Sequence, residues 1–95
     1  MKKTARQYVI VRTYSAGVHA GTLVSRDGKE VVLSGARRVW FWRGANTLHE
    51  IALHGVESGS KVSEPVESIT LTEVIEVITA TADAEKNLNS AVWSK

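Results

Sequence analysis

From residue 7 onward, the two-residue period of a β-strand divides the side chains between two faces. Tyr8, Ile10, Arg12 and Tyr14 fall on one face, and Val9, Val11 and Thr13 on the other. This predicts a strand over 7–14. Ser15-Ala16-Gly17 predicts a turn, because glycine reaches positive φ without a Cβ clash, and 18–26 reads as the return strand. Asp27-Gly28 predicts a type I′ turn, with positive φ at both central residues, and 29–33 completes that hairpin. Ser34-Gly35 predicts one more turn into the strand Arg37-Arg38-Val39-Trp40-Phe41-Trp42-Arg43-Gly44, giving a four-strand antiparallel meander.

Beyond Gly44 the period changes to that of a helix. Thr47-Leu48-His49-Glu50 has the spacing of a capping box, Leu48, Ile51 and Ala52 share one helical face, and Gly55 is placed to end the helix. Residues 57–64, with Ser58-Gly59-Ser60, predict a polar loop. Val, Ile and Thr dominate 65–81, which therefore reads as a strand. Its alternation slips after Leu71, and a bulge near Thr72 is expected. Thr81 is placed to cap a final helix with Asp83 and Glu85 in its first turn and Ala84, Leu88 and Ala91 on one face. Trp93 is expected to dock on its own domain or on a neighbouring subunit. The fold class is thus mainly β (α+β): a small antiparallel meander of about five strands with one or two short helices, in a single domain over 1–95 with a disordered tail over 1–6.

At 95 residues without cysteine, a domain has a modest core and no disulfide to reinforce it, so homo-oligomerisation is expected. The apolar run Tyr8–Val11 is closed by Arg12, too short for a secretory segment. No stretch reaches the length of a membrane span. A soluble protein of the cytoplasm is the expectation, with no membrane partner.

Charge adds an asymmetry that composition conceals. The net charge is +2, yet residues 1–50 hold nine Lys/Arg against three Asp/Glu, while residues 51–95 hold three against seven. The positive half is also the aromatic half. An anionic partner on the first half, or head-to-tail contact between copies, follows from that pattern; a solvated basic face is the plainer alternative.

The Arg/Trp stretch gathers three of the six aromatic residues and three arginines into eight positions. Strict alternation places Arg38, Trp40 and Trp42 on one face and Arg37, Val39, Phe41 and Arg43 on the other. Phe41 is expected to face the core, because it carries no polar atom needing a partner, and Trp40 and Trp42 an interface or ligand. Arginine forks match phosphate oxygens and flat rings stack on bases. A nucleotide site is therefore expected, with Trp40, Phe41 or Trp42 stacking the base and Arg37, Arg38 and Arg43 holding phosphate. Tyr14, Ser15, His19 and Asn46 would line its rim; the alternative is that the rings are core and the arginines pair with the acidic half. His49 and His54, five apart, do not share a helical face, so no metal site is expected. Glu73 and Glu76 are the only candidates for acid–base work and read equally as a solvated strand face. No phosphate-binding glycine loop or nucleophile elbow is present, so neither an enzyme nor a cofactor is expected.

The segments Thr13-Tyr14-Ser15-Ala16-Gly17-Val18-His19, Ala36-Arg37-Arg38-Val39-Trp40 with Gly44-Ala45, and Leu71-Thr72-Glu73 give the chain a resemblance to a family of small proteins of tailed bacteriophages and prophages. It runs over most of residues 8 to 93, and its most specific part is the Arg-Arg-Val-Trp strand followed by Leu-His-Glu-Ile-Ala. The resemblance implies phage origin and expression in the bacterial cytoplasm, and carries over no enzymatic activity. By analogy, small oligomeric phage proteins include nucleotide sponges that sequester signals of host immunity, such as the cyclic ADP-ribose isomers of Thoeris or the cyclic oligonucleotides of CBASS. The resulting expectation is an oligomeric, non-catalytic binder of a cyclic nucleotide or related phosphorylated signal. Its alternatives are a structural or assembly protein and a nucleic-acid-binding β-module.

Overall fold

A computed structural model describes residues 7–90. The expected tail over 1–6, Ala91 and Trp93 lie outside the described residues. The elements run β1 (Tyr8–Thr13), β2 (Val18–Asp27), β3 (Glu30–Phe41), α1 (Leu48–His54), β4 (Lys61–Val62), β5 (Val66–Leu71), β6 (Val74–Thr79) and α2 (Ala82–Ser90). The domain is a small antiparallel β-sheet with two short helices, and it has six strands rather than the expected five.

β3 pairs with β2 on one side and, on the other, with β5 along its first half and β4 near its end; β2 pairs with β1, and β1 with β6. β5 and β6 thus sit at opposite edges of the same sheet, yet only Thr72 and Glu73 separate them in the chain. The sheet must therefore curl until its edges approach. Val74 N donates to the Lys29 carbonyl at 3.0 Å and Tyr14 N to the Glu73 carbonyl at 2.9 Å, pinning this corner to the β2–β3 hairpin and to the end of β1. The expected irregularity near Thr72 is this corner, where one run of chain leaves β3 and joins β1, rather than a bulge within one strand.

Curling creates two cores. Val9, Val11, Val31, Leu33, Ala36, Leu71 and Val74 fill the inside of the curl. On the outer face Tyr8, Ile10, Ala20, Val39 and Val62 pack against Ile51, Ala52 and Leu88 of the helices. The alternation read along β1 maps onto these two cores, one for each face.

Two further expectations fail for a shared reason. The β2–β3 hairpin pairs Asp27 with Glu30 around Gly28 and Lys29, and no described residue other than glycine has positive φ. With Gly28 alone in that region at φ 60°, the turn is of the II′ kind, with glycine first, instead of I′. Likewise no turn forms at Ser34-Gly35, because β3 runs straight through it. Gly35, at φ 57°, lies where the β2–β3 register shifts by one residue; it is a bulge glycine. The slip changes parity: Val31 and Leu33 point inside the curl before it, and Ala36 after it. Positive φ marks turns and bulges alike, and the sequence does not tell them apart.

Both helices start as the sequence predicts. Thr47 Oγ1 accepts from Glu50 N at 3.4 Å, while Glu50 Oε1 accepts from Asn46 N at 2.6 Å, one residue earlier than in a regular capping box. Thr81 Oγ1 accepts from Ala84 N at 3.1 Å, and Ala84 and Leu88 are fully buried. The expected loop over 57–64 is interrupted by β4, which pairs Val62 with Val39 and Lys61 with Phe41.

Candidate functional site

The Arg/Trp strand contains a second parity change. Val39 faces Val62, but Phe41 rather than Trp40 faces Lys61, so Trp40 is the extra residue of a bulge. The consequence corrects the expected faces. Phe41 is 46% exposed and is not a core residue, whereas Trp42 is half-buried and packs against the core under the helices. Trp40 stays outside, half exposed, with the Lys61 ammonium 5.8 Å from its ring centroid.

The residues expected to form one site are dispersed by the fold. Arg37 is buried: Nε donates to the Ser63 carbonyl at 2.8 Å, and Nη1 to the carbonyls of Leu88 at 2.7 Å and Asn89 at 3.3 Å. Its guanidinium satisfies carbonyls at the end of α2 and joins that helix to β3, which corrects its assignment to phosphate. Arg43 belongs to the 57–60 loop, its N donating to Ser60 Oγ at 2.9 Å and its stem lying against Gly59.

Tyr14, Ser15, His19 and Arg38 gather at one end of the curl. Ser15 Oγ donates to Glu73 Oε1 at 2.9 Å, and Tyr14 is almost fully exposed beside Lys29 and Ile75. The Arg38 guanidinium lies over Gly17, whose φ of +86° favours glycine there. His19 pairs across the strands with Arg38. It is buried, and its Nδ1 has no hydrogen-bond partner among the described residues. Burial first, and the Arg38 charge second, hold its pKa below the ordinary 6.5.

Trp42 and Asn46 meet elsewhere, in a groove of about 350 Å³ between the outer face of the sheet and the start of α1. Val18, Trp42 and Leu48 supply its apolar surface, while Arg12, Glu76, Asn46 and His49 supply polar groups. Arg12 and Glu76 are cross-strand partners in the β1–β6 pairing, and Arg12 Nε lies 3.2 Å from Glu76 Oε1. Both side chains are roughly half exposed. Sequence reasoning missed Arg12, His49 and Glu76 as site residues. The signal for Arg12 was present, as a charge at the end of the apolar face Tyr8–Ile10; that for Glu76 required knowing that β6 returns to β1. Among the described residues no cluster of three His, Asp or Glu side chains is arranged to hold a metal ion. No described helix is long and apolar enough to cross a membrane.

Comparison with known families places this chain: it belongs to the family of DUF6948, a domain of unknown function, whose pattern matches residues 6–88. No curated protein and no solved structure matches it.

Proposed function

We propose that this member of the family is a non-catalytic binding protein that sequesters a phosphorylated, base-bearing ligand of the cyclic-nucleotide class in the groove floored by Trp42. The observation that carries the reading is the meeting of an indole, an arginine and a side-chain amide in one concavity. At about 350 Å³ the groove lies at the small end of ligand sites, which span roughly 300–1,000 Å³, and suits one base with its phosphate. The base lies on Trp42 between Val18 and Leu48. Arg12 has no polar partner among the described residues except Glu76, so its terminal amino groups serve phosphate oxygens. Because a half-exposed ion pair contributes about 0–1 kcal/mol, sharing Arg12 with a ligand costs little. Glu76 and Asn46 then meet the donors of the base or sugar.

The groove is open on one side, and a second copy closing over it would bury the ligand further, as sequestration requires. Phage origin and the bacterial cytoplasm enter this proposal through the resemblance in sequence alone. Incubating the protein with a panel of cyclic nucleotides, removing it by filtration and then heat-denaturing it tests the reading. Depletion of one nucleotide and its intact release, both lost in Trp42→Ala and Arg12→Gln, support it. Hydrolysed product, or no depletion across the panel, overturns it.

A further inference from the structure

The bulge at Trp40 sends Trp42 to the groove and leaves a second group of chemistry outside it. Arg38 and Phe41 are exposed, Trp40 is half exposed, and Lys61, pairing with Phe41 from β4, sets its ammonium over the Trp40 ring. Arg43 follows, exposed, where the chain leaves the strand. Three cations and two rings therefore interleave along the end of one strand and its short neighbour.

We infer that this strip binds single-stranded nucleic acid. Rings offer a stacking surface that every base fits, and cations beside them meet the phosphates. The bulge and the β4 pairing set the Lys61 ammonium beside the Trp40 ring, so a cation and a ring address neighbouring parts of an extended polyanion. A duplex, whose bases are already stacked on one another, satisfies the cations and not the rings. The positive first half of the chain supplies the long-range attraction. This surface is distinct from the groove, and its occupant is a polymer rather than a single nucleotide.

Fluorescence anisotropy of a labelled oligothymidylate of about 20 nucleotides, titrated with the full chain, tests the inference. The expected result is binding at low salt that weakens with log salt at a slope of about −2, three cations each contributing roughly 0.7. Lys61→Gln lowers that slope by about 0.7. Trp40→Ala weakens binding about 5- to 150-fold, Trp40→Phe restores most of it, and Leu53→Ala on α1 changes nothing. Circular dichroism establishes that each variant is folded; should Trp40→Ala unfold, the slope change in Lys61→Gln decides. No binding at low salt, an unchanged slope in Lys61→Gln, or equal displacement by polyglutamate, which would mark an acidic protein as the partner, overturns the inference.

Discussion

Arg37 Nη1 donates to the Leu88 carbonyl at 2.7 Å, so a residue of the aromatic strand closes the last turn of the last described helix. Replacing this arginine strands the Leu88 carbonyl, whose bond to it is buried. Since a hydrogen bond from a charged donor is worth about 1.5–3 kcal/mol, Arg37→Ala is expected to destabilise the fold by about 3 kcal/mol or more. Arg37→Lys should rescue only part of that, because one ammonium cannot reach both Ser63 and the helix end. Urea unfolding of the two variants measures both effects.

Phe41 and Trp42 exchange the roles that simple alternation assigns them. Phe41→Ala removes a ring that is 46% exposed and is expected to lower stability by less than about 1.5 kcal/mol. Trp42→Ala removes part of the packing beneath α1 and is expected to lower it by about 2–3 kcal/mol. Thermal melts followed by circular dichroism rank the two; a larger loss for Phe41→Ala would contradict the bulge.

The hydroxyl of Tyr8 is buried without a hydrogen-bond partner among the described residues. Burial raises its pKa above 10.0, the nearby Arg37 charge opposing the rise. Removing an unsatisfied buried hydroxyl relieves a desolvation penalty, so Tyr8→Phe should be neutral or stabilising by up to about 1 kcal/mol. A midpoint of denaturation lower than that of the native chain would show that the hydroxyl has a partner in solution.

His19 gives the stability a pH dependence of definite sign. Its folded pKa lies below the unfolded 6.5, so the unfolded chain binds the proton more readily. The contribution is fully present above 6.5, and is lost as pH falls through that value towards the folded pKa. Urea midpoints between neutral and mildly acid pH should fall in the native chain and flatten in His19→Gln over that window. An equal slope in both would assign the effect to the carboxylates.

What the sequence made legible, and what it did not, separates along local and non-local lines. The strand β1, the caps Thr47 and Thr81, and the buried positions of α1 and α2 each follow from spacing within a few residues. The bulges at Gly35 and Trp40 do not, because each depends on which partner strand lies opposite, and either one inverts the faces of everything that follows. For the same reason the expected site residues come apart. Arg37 and Arg38 are neighbours in the chain and point to opposite sides of the sheet. Arg12 and Glu76, distant in sequence, become partners only through the β1–β6 pairing.

That pairing also orders events in time. β1 leaves the ribosome before its partner β6, which ends at Thr79, and Thr72-Glu73 cannot bridge the two sheet edges until both exist. The nascent chain must hold Val9 and Val11 without their final cover until Leu71 and Val74 have followed. Such long-range closure places folding in the slow regime of small β-domains, about milliseconds to seconds, with the arrival of β6 as its starting gun.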